Sequence, residues 1–507
     1  MDRQNLFNIT IVFIFCIIFF STIQFSTHNL IGYDAYANIK TAYLYRTEGI
    51  LYEFPWMYYT ISRDNFADNQ FLFHLLLIPF TFGNLIFGGK IAIIIFASLS
   101  ITVFYWFLRK YNIVWPFFWT AILLTSQMFI FRVSMIRPFS ISVLFLILGI
   151  HFTISRKYKR LFFLSMFYSL LHGTFFILSI FIVCYLLVRY LKKEKITFAL
   201  LFYNLSGIFL GLFINPFFPK NIYTFYLIHI RGIIGSTSPV DAAAEWLPIN
   251  HMFFIKDAYL MMILFLISFG SFLFYKKNQN KYSFLFLITS LVFFILTLSY
   301  RRFEIYWSVV TVMFCSFTLN NNLKKWTECQ SFSSLFNKGL RRSKKLPVKK
   351  YICFLIIIIT IFLFSFSLYA NKKGLSEWDN INNYYNCSNW IKNNVQKNAN
   401  IFIMNWPQFS PLFFYNHDQR YTLGLDEYRM YLYEKELYFK YVNVTRGTLK
   451  NPDKIKRIIK EDFNSSYIFF DDHDWIVRNS YFYDLINKDD NFKKEYRDRY
   501  CSVYKIK

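Results

Sequence analysis

Apolar and polar positions alternate along this chain in long blocks: uncharged runs of about membrane-spanning length, separated by short basic stretches. Leu6 to Phe25 holds no charged residue, which suits a helix crossing a hydrocarbon core that needs about 20 residues. Its length, and the lack of a small-residue cleavage site before Asn29, favour a retained anchor over a cleaved signal peptide. The same pattern predicts spans at 6–26, 91–108, 114–131, 139–155, 161–172, 174–189, 197–215, 257–275, 282–299, 303–320 and 351–370, eleven in all. Phe71 to Phe87 is also apolar and is expected to lie against the outer face as an amphipathic or re-entrant segment.

The basic residues set the orientation. Clusters at Arg109 and Lys110, Arg156 to Arg160, Arg189 to Lys195, Lys276 to Lys281 and Lys324 to Lys350 all fall on one side of these spans. Short Lys- and Arg-rich loops stay cytoplasmic. The expected organisation is a membrane all-α domain, 1–370, with a cytoplasmic N-terminus, a long first outer loop at 27–90, a later outer loop at 215–256 and a basic cytoplasmic loop at 321–350. Residues 371–507 then lie outside as a small α/β domain. Helices are expected at Trp378 to Asn393 and Asp453 to Asp462, and strands at Ala399 to Met404, Tyr467 to Phe470 and Ser502 to Ile506.

Composition agrees. Of 507 residues, 55% are hydrophobic, 65 are Phe and 17% are charged, which excludes a disordered or fibrous chain and departs from the charge content of soluble domains. The net charge of +26 would suggest nucleic acid in a soluble protein; here it follows from topology.

Candidate chemistry gathers on the outer face. Asp34, in Gly32-Tyr33-Asp34-Ala35-Tyr36, places a carboxylate just past the first span, as an acid or as the cap of an amphipathic helix to Tyr45. Asp68 and His74 straddle the entry to the Phe71 segment, facing a surface cavity or serving as caps and anchors. Asp241 and Glu245, at i and i+4, share one helix face as a base or cation ligand, or as a solvated surface. Arg132, Arg137, Arg301 and Arg302 lie at outer span ends against the positive-inside pattern. Guanidinium forks match phosphate oxygens, so anion binding is weighed here against headgroup snorkelling.

No GxxxxGK[ST], GxGxxG, HExxH, GxSxG or paired CxxC motif occurs, so nucleotide, dinucleotide, zincin, serine-hydrolase and zinc-ribbon readings lack support. Of seven cysteines, Cys387 and Cys501 share the outer domain and could pair in an oxidising compartment.

An N-terminal span, a long outer loop opening on an acid-aromatic motif, many further spans and an outer C-terminal domain resemble the C-type (GT-C) superfamily of integral-membrane glycosyltransferases. Asp34 in Tyr33-Asp34-Ala35-Tyr36 resembles the first-loop Asp that such enzymes place beside acceptor and metal. Asp68 to Pro79, with His74, resembles the stretch closing that loop. Glu245 occupies the later loop that carries a catalytic Glu in oligosaccharyltransferases, and Arg301-Arg302 resembles the arginines that meet the lipid phosphate. The Arg132 to Pro138 turn lacks the Asp many relatives carry. In the tail, Asn405-Trp406-Pro407-Gln408-Phe409 and Gly424-Leu425-Asp426 resemble a pattern in bacterial members.

The resemblance implies transfer of a sugar from a polyprenyl-phosphate donor to a lipid, glycan or protein acceptor, in the bacterial cytoplasmic membrane. Asp34 and Glu245 would be catalytic, and both could share a magnesium or manganese ion. Arg301, Arg302, Arg137, His74 and Asp68 would bind substrate or phosphate. A transporter or flippase would want charges along the spans, which are nearly charge-free; a glycan polymerase of lipid-linked sugars would use large outer loops between spans.

Overall fold

The computed structural model describes residues 3–227, 240, 245–275, 278–327, 358, 361–362, 364–373, 384–472 and 481–507. Among them, the membrane part is a helical bundle of α1 (Arg3–Gln24), α2 (Tyr33–Glu48), α3 (Phe71–Leu77), α4 (Leu85–Lys110), α5 (Pro116–Leu123), α6 (Gln127–Ser134), α7 (Phe139–Ile154), α8 (Tyr158–Leu171), α9 (Phe176–Leu191), α10 (Ala199–Ile214), α11 (Lys220–Phe225), α12 (His251–Phe274), α13 (Lys281–Ser299) and α14 (Glu304–Thr327). Four described helices are long and apolar enough to cross a membrane: α1, α4, residues 254–274 of α12, and α13. Helices α7, α9 and α10 are apolar but have 16 residues each, about 24 Å, short of a hydrocarbon core unless the bilayer thins around them.

One feature departs from the expected spans. Residues 114–131 do not form one straight helix: α5 and α6 meet at an 82° bend, because Ser126 starts a new helix by accepting a hydrogen bond from the Phe129 amide at 3.2 Å. The α3 segment, expected not to cross, has seven residues, about 10 Å of helix, too short to span. The expected basic loop at 321–350 and the 351–370 span fall largely outside the described residues.

Close packing is local and sequence-encoded. Helix α10 approaches α8 through Gly207 and Gly211: a Cβ there would meet the carbonyl oxygens of Phe162 and Met166 at 2.3 and 2.4 Å. This is the small-residue spacing that brings membrane helices into backbone contact.

The bundle has two chemically distinct ends. At one, Arg109 bonds Asn5, and Glu194 joins Arg189 at 3.1 Å and also Lys281. The other end gathers the C-terminus of α1, helix α2, the α6–α7 turn and the α13–α14 turn, and carries the candidate site.

The tail contains a five-stranded sheet, β1 (Asn400–Ile403), β2 (Arg420–Tyr421), β3 (Ser465–Asp471), β4 (Phe492–Arg497) and β5 (Cys501–Ile506), ordered β2-β1-β3-β5-β4. The β1 pairings are parallel; β3 to β5 and β5 to β4 are antiparallel. Three strands match the sequence pattern. The other two were hidden: β2 has two residues and β4, Phe-Lys-Lys-Glu-Tyr-Arg, is an edge strand guarded by charge. The expected second helix appears as Pro452–Arg457, continued by a π-turn to Asp462.

The first loop is built into this domain. Tyr421 and the loop exchange backbone hydrogen bonds, Tyr58 N to Tyr421 O at 3.1 Å and Tyr421 N to Trp56 O at 2.8 Å. Phe54 packs on Phe66 and Phe413 in the same hydrophobic cluster as the sheet. Cys387 and Cys501 form a disulfide.

Candidate active site

The site begins with a glycine. Gly32 takes φ +85°, a left-handed conformation that glycine adopts without penalty, and turns the chain from α1 into α2. Asp34 falls in the first turn of α2 but makes no side-chain capping bond, so its carboxylate reaches outwards. Its Oδ2 lies 3.3 Å from Arg137 Nη2. Arg137 comes from the tight α6–α7 turn, its own amide donating to Met135 O at 2.7 Å.

Glu245 completes the arrangement. Arg137 donates Nη1 to its Oε2 at 3.0 Å and Nη2 to its Oε1 at 3.2 Å, and Arg132 Nη1 lies 3.8 Å from Oε2. The Glu245 segment is fixed by backbone bonds: Arg302 N to Glu245 O at 3.0 Å and Arg301 N to Leu247 O at 3.1 Å. Arg302 is 4% exposed and stacks 4.0 Å over the Trp246 ring; its Nε is buried with no hydrogen-bond partner among the described residues. Beside it, Arg301, Lys256 and Asn250 line a cavity of about 490 Å3 with apolar Leu247, Ile249 and Met252.

The two acids are driven apart electrostatically. Burial raises the Asp34 pKa above the ordinary carboxylate value; Arg137 opposes this, while Glu245 and Asp426 add to it. Burial would also raise Glu245, but Arg137, Arg302 and Arg132 outweigh it and hold the carboxyl well below the ordinary range. One acid therefore takes up a proton more readily and the other stays ionised, the separation that distinguishes acid and base roles. Arg302 is lowered by its burial, against the attraction of Glu245.

Asp68 and His74 meet each other but not the Arg137 cluster. Asp68 Oδ2 lies 2.6 Å from His74 Nδ1 and accepts from Tyr45 Oη at 2.8 Å; Oδ1 accepts from Gln70 N at 2.8 Å. His74 Nε2 lies 3.2 Å from Asn38 Oδ1. Asp241 lies outside the described residues.

Sequence reasoning missed three groups. Asn38, one turn along α2 from Asp34, looked like an ordinary polar helix position. Asp257 and Glu304 converge on Ser126: Asp257 accepts from Ser126 Oγ at 2.8 Å and Met128 N at 2.7 Å, and Glu304 accepts from Ser126 and Ser308. Glu304 sits in the first turn of α14, where an acid reads as a cap, and Asp257 lies in the second turn of α12. Asp426 and Arg429, from the tail, lie close enough for their charges to act on Asp34. They pair at 3.1 Å, and Arg429 holds the first loop through Ser62 Oγ at 2.7 Å. The signal for them was Gly424-Leu425-Asp426, where Leu425 takes φ +66°.

The pair proposed to hold a divalent ion does not fit one. A fixed cation, the Arg137 guanidinium, already stands between Asp34 and Glu245. Donor atoms of Cys387, Asp498 and Cys501 lie within 4.8 Å of one another, but both sulfurs are committed to the disulfide.

The chain matches no protein-family model and no curated protein. Its structure is similar to solved structures of membrane enzymes. The Archaeoglobus fulgidus oligosaccharyltransferase, in the apo form, aligns with TM-score 0.62 at 13% identity over 91% of this chain and 69% of that one. ArnT from Cupriavidus metallidurans, in the apo state, aligns with TM-score 0.56 at 10% identity over 99% and 98%. The arabinofuranosyltransferase AftD from mycobacteria aligns with TM-score 0.50 at 10% identity over the whole of this chain and 40% of that one. Identities this low speak to the fold: the chain is a multi-pass membrane protein with a GT-C-like fold.

Proposed function

We propose that the protein transfers a sugar from a polyprenyl-phosphate-linked donor to a lipid, glycan or protein acceptor at the outer face of the bacterial cytoplasmic membrane. The observation that carries this reading is the placement of Asp34. It is a carboxylate left out of helix capping, 3.3 Å from Arg137, at the bundle end where Glu245, Arg132 and Arg302 also converge. The GT-C-like fold supports it, as does the Arg189–Lys281 cluster at the opposite end, the cytoplasmic one by the positive-inside rule.

In this reading Asp34 is the general base. It takes the proton of the acceptor hydroxyl as that oxygen bonds to the anomeric carbon and the bond from the anomeric carbon to the phosphate oxygen breaks. The leaving polyprenyl phosphate carries away the electron pair. Arg301 and Arg302 neutralise the charge that develops on it, with Arg302 Nε, which has no partner among the described residues, as a spare donor. Glu245 stays ionised and orients Arg137, which ties the base to the phosphate side of the site. The carrier chain lies along the apolar wall of the Leu247, Ile249 and Met252 cavity.

The test is transfer of radiolabelled sugar from polyprenyl-phosphate donors by purified protein, comparing wild type with Asp34→Asn and with Arg301 and Arg302 both changed to Ala. The expected result is transfer by wild type that is lost in both variants while they still fold. If wild type neither binds nor consumes such donors but moves the lipid across liposomes, a transporter replaces this reading.

A further inference from the structure

Behind Asp34, the inner side of α2 carries an unbroken run of hydrogen bonds that ends on the residue preceding Arg137. It starts at Tyr45, whose Oη donates to Asp68 at 2.8 Å. Asp68 meets His74 Nδ1 at 2.6 Å, and His74 Nε2 meets Asn38 Oδ1 at 3.2 Å. Asn38 Nδ2 then donates to the Ile136 carbonyl at 2.7 Å. Because that bond commits the amide nitrogen, the oxygen of Asn38 must face the imidazole. Both ring nitrogens of His74 thus face oxygen atoms, Asp68 Oδ2 on one side and Asn38 Oδ1 on the other. Asp68, His74 and Asn38 are 4, 6 and 8% exposed, so a missing partner anywhere in the run would leave a buried polar group unsatisfied.

We propose that Asn38 is a positioning residue: held by the Asp68–His74 pair, it pins the Ile136 carbonyl and so fixes the Arg137 guanidinium between Asp34 and Glu245. Gln24, donating to the Ser134 carbonyl at 2.7 Å, holds the other end of the same turn. Asp34 and Asn38 are one turn apart on α2, so a single rigid helix carries the acid directly and sets the cation that pairs with it through the turn. His74 and Asp68 then serve the site through Asn38, without touching substrate. This inference rests on the proposed function for its catalytic consequence, but not for its structural one.

Asn38→Asp separates the two. An aspartate keeps an acceptor facing His74, but replaces the donor to Ile136 with a second carboxyl oxygen turned towards that carbonyl and adds a buried charge. Hydrogen exchange of the 134–138 segment, read by mass spectrometry on the full-length protein in detergent, is expected to rise about tenfold, while exchange in α2 and in the rest of the bundle stays near wild type. Transfer is expected to show kcat reduced about 10- to 100-fold, as for a misplaced catalytic group, with donor KM within about twofold. Asn38→Leu, which removes both bonds, should give the same confined exchange signature if Asn38→Asp does not fold. Wild-type exchange in the turn overturns the proposal, as does exchange raised uniformly with a lowered midpoint in both variants, which would make Asn38 a packing residue. If wild type transfers no sugar, the exchange result still decides the structural claim while the proposed function alone fails.

Discussion

Arg137 grips Glu245 with both terminal nitrogens, Nη1 to Oε2 at 3.0 Å and Nη2 to Oε1 at 3.2 Å, and its Nη2 also stands 3.3 Å from Asp34. One guanidinium thus serves two carboxylates whose side chains are only 18 and 26% exposed. Lysine cannot reproduce this planar fork. Arg137→Lys is expected to lower transfer at least about tenfold, and Arg137→Ala at least about 100-fold. Leaving two acids facing each other without their cation should also cost about 1–3 kcal/mol of stability, seen as a lower midpoint in thermal unfolding. Equal kcat in wild type and Arg137→Lys would remove the fork from the mechanism.

The opposite shifts of the two acids predict separable pH effects. Asp34 must be deprotonated to act as a base, and burial together with Glu245 and Asp426 raises its pKa despite Arg137 and Arg429. The acid limb of kcat/KM should therefore lie above the ordinary aspartate value of about 4. Asp426→Asn removes a raising influence and should move that limb to lower pH; Arg429→Gln removes a lowering one and should move it higher. A limb that stays put in both variants would mean that another group is being titrated.

Glu245 works in the reverse sense, through stability. Its carboxyl is held below the ordinary range by Arg137, Arg302 and Arg132, which outweigh its burial. Its stabilisation is complete above the unfolded-state glutamate pKa of about 4.3, and is lost as pH falls from there through the depressed folded value. The midpoint difference between wild type and Glu245→Gln should be largest at neutral pH and shrink as the buffer is taken below about pH 4. A difference that grows on acidification would contradict the pairing.

What the sequence disclosed follows from what each feature depends on. Asp34 was legible because a lone acid next to an apolar span is costly to place, and Arg301 and Arg302 because they break the inside-positive pattern. Their partnership was not legible: Arg137 meets Glu245 across 108 residues, and no local period records a fork closing over that distance. Asn38 was missed for the same reason, since its partners Ile136 and His74 lie on other elements. Apolar runs marked where helices lie but not where they break. The 82° bend between α5 and α6 depends on the Ser126 hydroxyl, inside a run whose hydropathy barely changes. In the tail, β1, β3 and β5 announced themselves by apolar content, whereas β4 is disguised by the charges that protect an edge.

The Gly207 and Gly211 contact makes its own prediction. A side chain at Gly211 would drive a Cβ to 2.4 Å from the Met166 carbonyl, which is backbone and cannot move aside as a flexible side chain could. Gly211→Leu should separate α8 from α10 and lower the thermal midpoint in detergent, by more than the roughly 1–3 kcal/mol of ordinary overpacking. Gly270→Leu, at a position where a Cβ would meet nothing within 4 Å, is the matched control and should leave the midpoint unchanged.

The disulfide between Cys387 and Cys501 ties the first described helix of the tail to the last strand of its sheet, across 114 residues. In the chain-entropy account, a loop of that size stabilises by roughly 4–5 kcal/mol relative to the reduced chain. Both sulfurs belong to residues that are fully buried. Such bonds persist in oxidising compartments, and this turns the staple into a test of orientation. With the tail outside, protein taken from membranes under alkylating conditions should show both sulfurs unreactive before reduction and two newly alkylated thiols after it. Cys501→Ser should lower the unfolding midpoint of the tail, while the buried thiols of Cys16, Cys184 and Cys315 stay reduced in both. Recovery of free Cys387 and Cys501 from unperturbed cells would place the tail, and with it the Asp34 end of the bundle, on the reducing side of the membrane.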